Sequence, residues 1–281
     1  MRIDILTLFP DSINAVLNVS ILGRAQARGH ITIQTHQIRD FTTNKQMQVD
    51  DYPYGGGRGA VMQADPLYRC WKHVVDEAGP GHTIYMSPCG RTFNQQVAKE
   101  LFREHDHFIL VCGHYEGIDQ RFNDECVDEE LSLGDFVLTG GEIPAMAVAD
   151  ALCRMAPGVL AEECCFMDES HWDGLLEHPQ YSRPEEWHGR KVPEVLLSGH
   201  HGNVEKWRKK ESYIRTMLRR PDLFAKFDEK KLTTKADRRL LAEAKAEYQE
   251  RLAAMEAEAA AKAELTAQET PAAEQSVSEQ E

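Results

Sequence analysis

The sequence predicts an α/β domain built on a largely parallel sheet, followed by a smaller and mainly helical domain. Short apolar runs typical of buried strands alternate with helix-like segments through the first 110 residues, and this alternation favours parallel strands covered by helices. Two glycine-bearing loops directly follow predicted strands, which is where ligands bind in open α/β sheets. Two long segments after residue 200, 203–218 and 235–252, have helical character.

The first 110 residues supply four candidate strands and two candidate helical stretches. The candidate strands are Arg2–Leu8, Ile31–Ile38, His82–Met86 and Phe108–Cys112. Asp11 is a candidate cap for a helix that runs to about Ala27 and stops before Gly29. Gln95–Glu104 also has helical character, so the strands are expected to lie parallel with helices between them.

A glycine turn between a short apolar run and a helix stands at the centre of the predicted site. The apolar run Phe136–Leu138 leads into Thr139–Gly141, where the backbone can approach a ligand closely. Pro144 suits the first position of a helix over Ala145–Met155. By itself this pattern fits both a small-molecule pocket and an ordinary tight connection in an α/β domain.

Three further loops carry glycine, and they span residues 49–59, 87–91 and 112–119. None contains the GxGxxG pattern or the GxxxxGK[ST] phosphate loop, so the sequence does not support a nucleotide-phosphate enzyme. One such loop alone is usually an ordinary turn. Three of them, together with the turn at 139–141, favour a shared pocket.

The charge of the chain is distributed unevenly. The net charge is −14, but the last 29 residues hold seven Glu and one Lys, so the rest carries −8. Within that remainder, Val204–Pro221 holds seven cations against two anions. A basic helix face of this kind fits contact with a nucleic-acid backbone, although charge runs are more often solvated surfaces.

The composition also limits the cellular compartment and the class of protein. The seven cysteines form no CxxC pair, which favours a reducing cytoplasm over a disulfide framework or a zinc ribbon. No run approaches the ~20 apolar residues of a membrane span, and Asp4 and Pro10 interrupt the first apolar stretch. The adjacent His200 and His201 lack a helical i, i+4 partner, so we assign no metal ligand.

The predicted organisation has four parts. The segment after Pro157 turns acidic and loses periodicity, and the chain after about Met255 has almost no large apolar residue. We divide the chain into an α/β domain over 1–160, a linker over 161–176, a helical domain over 177–252, and an acidic low-complexity tail over 253–281 that we expect to be disordered.

Five motifs in one order carry a resemblance to a known family. They are YGGGxG after Asp50-Asp51, SPxG, CGxYEGxD, LSxGDFVLTGGExP and DGLLxxPxYxRP. Over roughly residues 1–250 the chain resembles the bacterial tRNA (guanine-N(1)-)-methyltransferase family of the SPOUT superfamily. Five ordered motifs are far more specific than any single one.

The resemblance implies a fold, a reaction and partners. The fold is a SPOUT-type parallel sheet with a deep trefoil knot, a feature that almost no protein has. The knot loops hold S-adenosylmethionine in a bent shape, and the family acts as a homodimer with each active site at the subunit interface. Its substrate is tRNA, which it methylates at N1 of guanosine 37 when another guanosine precedes it.

The resemblance also assigns residues. Asp173 matches the general base and Arg154 the catalytic arginine, while Asp50 and Glu116 match acidic residues linked to the target guanosine or to a Mg²⁺ requirement. The cofactor loops map onto Ser87, Pro88, Gly90, Gly113, Tyr115, Glu116, Gly117, Leu133, Gly134, Asp135, Phe136, Val137, Leu138, Gly140 and Gly141. The expected tRNA contacts are Asp50, Gly59, Lys206, Arg208, Arg215, Arg219 and Arg220.

These assignments suit the chemistry. Guanine N1 carries a proton and is a poor nucleophile until a carboxylate removes that proton. Negative charge then builds toward O6, where a fixed arginine stabilises it. Arg58, Ala60, Cys89 and His114 depart from the commonest family pattern, but none is a proposed catalytic group, so they bear on donor affinity and tRNA contacts.

Each catalytic candidate also has a plain structural explanation. Asp173 precedes Gly174 and suits a helix cap, and Arg154 near a helix end complements the helix dipole. His171 and His178 flank Asp173 and fit substrate contact or simple loop polarity equally well.

Two functional alternatives come from other classes. One is a non-catalytic RNA-binding module, which the intact catalytic candidates and glycine loops disfavour. The other is a methylase with a different RNA target, which the DGLL linker and the basic helical segment disfavour.

Overall fold

The computed structural model describes residues 1–162 and 164–269. The chain divides into two compact units, Met1–Met167 and Asp168–Glu281. The domain boundaries expected from the sequence remain predictions. No helix among the described residues is long and apolar enough to cross a membrane.

The first unit is an α/β structure. Its strands are β1 Arg2–Thr7, β2 Thr32–Gln37, β3 Asp50–Asp51, β4 Val61–Met62, β5 His82–Thr92, β6 His107–Cys112 and β7 Glu129–Ser132. Its helices are α1 Pro10–Leu17, α2 Ser20–Ala27, α3 Ala64–Ala78, α4 Gln95–Glu104, α5 Gln120–Cys126, α6 Glu142–Cys153 and α7 Cys164–Met167. A 3₁₀ turn over Ile38–Phe41 follows β2.

The central sheet is parallel, as the alternation of strands and helices predicts. Its strand order is β2-β1-β6-β5-β7, and every pairing is parallel. Helices α3 and α5 pack together, and α1 and α4 each pack on α6. Successive residues such as Ile5 and Leu6 are both fully buried because helices cover both faces of the sheet. The carboxyl ends of β5, β6 and β7 therefore open at one edge.

The first predicted helix is wrong in detail. The single helix expected from Asp11 to Ala27 is broken into α1 and α2, with Val19 in an extended conformation between them. The side chain of Gln26 donates to the carbonyl of Leu17 at 2.9 Å and so satisfies the end of α1. Asp11 lies in the first turn of α1 and makes no side-chain cap.

The apolar run Phe136–Leu138 is not a strand. β7 ends at Ser132, and the three side chains of the run are at least 37% exposed. Helix α6 begins at Glu142 and not at Ala145, so Pro144 is its third residue. Proline is tolerated there because the first helical N–H groups have no intrahelical acceptor.

A buried carboxylate joins three strands of the sheet. Asp4 on β1 is fully buried. Arg2 Nε donates to it at 2.6 Å, and His36 Nε2 and His107 Nε2 lie 2.7 and 2.9 Å from its two oxygens. Burial alone raises the pKa of Asp4, but the hydrogen bonds from His36, Arg2 and His107 hold it well below its usual range.

Asp4→Asn is expected to lower the free energy of unfolding by about 2–3 kcal/mol at pH 7, because an amide cannot replace the charge-assisted hydrogen bonds. The folded-state pKa lies below the unfolded value of about 3.9. The stabilisation is therefore complete above that value and is lost as the pH falls through the folded-state pKa. Urea unfolding at pH 7 and pH 3 measures this, and the difference between wild type and variant should shrink at pH 3.

The exposed Asp106→Asn is the matched control for this experiment. It should leave stability unchanged at both pH values. An Asp4→Asn effect of equal size at pH 7 and pH 3 would contradict the assignment of the stabilisation to the ionised carboxylate.

The second unit is mainly helical. It contains a two-stranded hairpin of β8 Glu186–Trp187 and β9 Arg190–Lys191, followed by α8 Glu194–Leu197, α9 His201–Arg219, α10 Pro221–Phe224 and α11 Lys235–Glu269. Its core consists of Leu175, Tyr213, Ile214, Met217, Leu232, Leu241 and Ala244. Tyr213 and Ile214 of α9 are fully buried in this core.

Helix α11 is longer than the sequence predicts. It continues to Glu269, so residues 253–269 of the tail expected to be disordered are helical. The rest of that tail, residues 270–281, lies outside the described residues. Arg251 near the middle of α11 donates to both carboxylate oxygens of Glu211 on α9, at 2.6 and 2.9 Å. This bidentate pair ties α11 to α9.

Candidate functional site

The glycine loops converge on one cleft in the first unit. The cleft lies at the carboxyl ends of β5, β6 and β7, where ligands bind in parallel sheets. Of the residues assigned to the cofactor, the cleft is lined by Ser87, Pro88, Gly113, Tyr115, Glu116, Gly117, Leu133, Phe136, Val137, Leu138, Gly140 and Gly141. Gly90, Gly134 and Asp135 do not line it.

Gly113 and Gly141 allow close packing inside the cleft. Gly141 N donates to Gly113 O at 2.8 Å. A Cβ on Gly141 would lie 2.8 Å from Cys112 Cα, and one on Gly113 would lie 2.7 Å from the ring of Tyr85. The two loops can therefore lie together because Gly141 lacks a side chain, and Gly113 leaves space for the ring of Tyr85.

The 87–90 loop is an irregularity within β5. The pairing of β5 with β7 shifts register between Met86 and Arg91, and Ser87 Oγ accepts from Cys89 N at 3.1 Å. Gly90 lies against β7, where a Cβ would be 2.4 Å from the carbonyl carbon of Glu130. Gly90 thus keeps the loop in contact with the sheet, and Ser87 and its neighbours line the cleft.

The walls of the cleft suit a flat apolar group with polar edges. Phe136, Val137 and Tyr115 lie in the loops that line the cleft and are 55%, 79% and 45% exposed, so their apolar surface is available to a ligand. The glycine loops supply backbone N–H and C=O groups beside these side chains. The residues present therefore fit an adenosine-like ligand, with ring contacts from the side chains and hydrogen bonds from the backbone.

A polar chain that the sequence did not predict lies at the cleft. Thr7 Oγ1 donates to Glu142 Oε1 at 2.9 Å, and both side chains are buried. Glu142 Oε2 lies 4.0 Å from His114 Nδ1, a buried atom with no hydrogen-bond partner among the described residues. His114 lines the cleft. In the sequence, Glu142 could have been recognised as a candidate because it is an acidic residue directly after the Thr139–Gly141 turn.

The cleft has further lining residues that sequence reasoning missed. They are Tyr85, Met86, Leu131, Ser132 and Pro144. Burial, with the nearby Glu130 carboxylate, raises the pKa of Tyr85 to about 12, so its hydroxyl stays protonated at neutral pH. Most of these residues belong to the ordinary strand pattern, which does not distinguish a cleft wall from core.

The first glycine-rich loop lies against this cleft through Glu116. β3, which contains Asp50, pairs with β4, and Glu116 N donates to Ala60 O at 3.0 Å. A Cβ on Gly59 would be 2.4 Å from Glu116 Oε1. The structure thus brings Gly59 and Glu116 together. Among the described residues, no group of three or more His, Cys, Asp or Glu side chains is arranged to hold a metal ion.

The two proposed catalytic residues belong to different units. Arg154 directly follows α6 in the first unit, where its backbone N–H donates to Asp150 O at 3.0 Å. Asp173 lies in the second unit, before Gly174 and Leu175. Its Oδ1 accepts from Leu175 N at 3.1 Å, a local turn contact. No helix begins at Gly174, so the helix cap that the sequence suggested for Asp173 is wrong. The Asp173 side chain is 52% exposed, and its second oxygen lies 3.8 Å from Lys209 Nζ.

The cations of α9 fall into two groups. Lys206, Arg208 and Arg219 are exposed and Arg215 is half-buried. Three others are engaged. Lys209 lies 3.8 Å from Asp173 Oδ2, and Lys210 pairs with Glu247 at 2.8 Å. Arg220, the C-cap of α9, makes a bidentate pair with Asp222 that lowers the pKa of that carboxyl to about 2. The exposed group is the part of the helix available to an anionic partner.

Comparison with known proteins identifies the family. The model of the tRNA (guanine-1)-methyltransferase TrmD family matches residues 1–226. The tRNA (guanine-N(1)-)-methyltransferase of Ruminiclostridium cellulolyticum is 52% identical over 234 residues, which are 83% of this chain and 100% of that protein. The proteins of the same name from Desulforamulus reducens and Clostridium perfringens are 51% and 54% identical, and they cover 86% and 80% of this chain and 94% of their own lengths. The chain belongs to the tRNA (guanine-1)-methyltransferase TrmD family.

Proposed function

We propose that this chain transfers a methyl group from S-adenosylmethionine to N1 of guanosine at position 37 of tRNA. The observation that carries the proposal is the convergence of three glycine loops on one cleft, in a chain of this family. Membership of the family supports methylation of guanine N1 in tRNA. The position of that guanosine, 37, is proposed in addition.

The cleft would hold the adenosine part of the donor. Phe136, Val137 and Tyr115 supply apolar contacts, and the loops at 113–117 and 133–141 supply backbone hydrogen-bonding groups. When bound, the donor supplies an activated methyl group on a sulfonium, so the transfer needs no covalent enzyme intermediate. A Mg²⁺ requirement has no support among the described residues.

Asp173 is the proposed general base. Its Oδ1 is held by Leu175 N, and this leaves Oδ2 to accept the proton from guanine N1. Arg154 is the proposed stabiliser of the negative charge that develops toward guanine O6. The two groups have complementary tasks, since one removes a proton and the other offsets the charge that remains.

The proposed assembly is a homodimer with a knotted α/β domain and an active site at the subunit interface. Several apolar side chains of the first unit are exposed by 41–56%, which fits a covered face in a dimer. They are Phe9, Val16, Val19, Ile21 and Ile143. The exposed cations of α9 would bind the tRNA backbone, and the cytoplasm is the proposed compartment.

The test uses labelled S-adenosylmethionine and tRNA transcripts that differ only near the anticodon. We expect label in a transcript with guanosine at positions 36 and 37, and none with adenosine at position 37. Adenosine at position 36 should strongly reduce labelling of guanosine 37. Equal labelling of the guanosine-37 and adenosine-37 transcripts, or of neither, would contradict the proposal. Labelling of an unrelated RNA only would indicate a methylase with another target.

A further inference from the structure

The segment that contains Asp173 is docked on the middle of α9 by side-chain hydrogen bonds. Ser212 Oγ donates to Leu176 O at 2.6 Å, and Leu176 N donates to Thr216 Oγ1 at 2.9 Å. Both backbone groups of Leu176 are thus bound by residues one turn apart on the helix. Thr216 is fully buried, so its acceptor has no competing water.

The neighbouring residue anchors the same segment in the core of the unit. Leu175 is 2% exposed and lies in the cluster that contains Tyr213 and Ile214 of α9. Its carbonyl accepts from His171 N at 2.7 Å, which closes the loop around Asp173. The backbone on the carboxyl side of Asp173 is therefore fixed to α9 by packing and by hydrogen bonds.

The carboxylate of Asp173 is oriented from two sides. Oδ1 accepts from Leu175 N, and Oδ2 lies 3.8 Å from Lys209 Nζ. That second distance is beyond hydrogen-bond range. Lys209 therefore attracts Oδ2 electrostatically while the lone pairs of that oxygen remain available to accept a proton. Gly174, with φ +90°, permits the turn that brings the carboxylate back to Leu175 N.

Lys209 differs from the other cations of α9 in its surroundings. Its ammonium lies 5.7 Å from the centre of the Tyr213 ring, and that ring is fully buried. The exposed Lys206 and Arg208 on the same helix have no ion-pair partner among the described residues. Helix α9 therefore carries Lys206 and Arg208, which are available to an anionic partner, and Lys209, which lies beside Asp173.

We propose that Lys209 is a positioning residue for the proton transfer, acting through the orientation of Asp173 and not through tRNA affinity. This inference rests on the proposed role of Asp173 as the base. A half-exposed carboxylate that is held by one hydrogen bond can still change its orientation. A small change in the direction of the basic oxygen lowers the rate of proton transfer strongly. Losing the charge of Lys209 should therefore reduce the rate of the bound complex more than it weakens binding.

Steady-state methyl transfer to the guanosine-36,37 transcript separates the two effects. Lys209→Met should lower kcat about tenfold and change KM for tRNA less than twofold. Lys209→Arg, which keeps the charge, should restore at least half of kcat. Lys206→Met serves as the comparison for an RNA contact and should raise KM severalfold. Lys226→Met removes an exposed cation elsewhere in the unit and should change neither parameter.

The Asp173→Asn variant shows whether an unexpected result means that the role of Lys209 is wrong or that Asp173 is not the base. If Asp173→Asn is inactive, and Lys209→Met raises KM with kcat unchanged, Lys209 is only an RNA contact and the inference is wrong. If Asp173→Asn turns over normally, the proposed base itself fails, whatever Lys209→Met does. Adding Lys209→Met to Asp173→Asn should cause no further loss in kcat, because the two changes act on one step.

Discussion

Asp173→Asn is expected to reduce kcat at least a thousandfold while leaving the affinities for S-adenosylmethionine and tRNA within twofold. An amide at this position keeps the size of the side chain and can still accept from Leu175 N through its oxygen. It cannot take the proton from guanine N1 at neutral pH. A thousandfold loss corresponds to about 4 kcal/mol of transition-state stabilisation.

The measurement combines single-turnover methyl transfer with equilibrium binding of each ligand. Asp168→Asn is the matched control, since Asp168 is an exposed aspartate five residues earlier in the same unit. That variant should retain full turnover. A variant Asp173→Asn with near-normal kcat would remove Asp173 from the role of base, and a loss confined to KM would make it a binding residue.

Gly141→Ala is expected to weaken S-adenosylmethionine binding at least tenfold and to lower the free energy of unfolding by about 1–3 kcal/mol. The backbone of Gly141, with φ −81°, is one that alanine adopts readily. The effect therefore comes from space alone. The new methyl carbon would lie 2.8 Å from Cys112 Cα and 2.9 Å from Gly113 N, and neither backbone atom can move away easily.

Calorimetric titration with the donor and urea unfolding measure the two consequences separately. Gly202→Ala is the control, because its added carbon would meet only the ring of His200 at an ordinary distance of 3.7 Å. Binding of tRNA through α9 should be unaffected by either change. Unaltered donor affinity in Gly141→Ala would mean that the 139–141 turn is not part of the donor site.

Local sequence patterns were sufficient to locate the glycine loops and four strands, β1, β2, β5 and β6, although β5 continues to Thr92. The short strands β3, β4, β7, β8 and β9 were not predicted. β1, β2 and β6 differ from their predicted bounds by no more than two residues at either end, and α4 matches Gln95–Glu104. These elements are encoded by hydrophobic period and by Asn94, which caps α4 through its side chain. A glycine directly after a strand likewise indicates that another group can approach the backbone closely, and this prediction does not depend on distant residues.

Tertiary packing decided the features that depend on distant residues. Phe136–Leu138 has the composition of a strand, yet its backbone follows the cleft, because β7 at Glu129–Ser132 already occupies the sheet edge beside β5. Thr7 and Glu142 are 135 residues apart in the chain and meet only when β1 and α6 pack. No periodicity in either segment could indicate that contact.

The contrast is sharpest for Asp173. By itself the sequence determined that a carboxylate precedes Gly174 in the DGLL motif, and the family resemblance gave it a chemical role. Only the folded second unit puts Lys209 beside its free oxygen, and binds Leu176 to Ser212 and Thr216. The physical reason is that a motif specifies local backbone geometry, whereas the direction of a half-exposed side chain depends on residues about 40 positions away that packing brings within 4 Å.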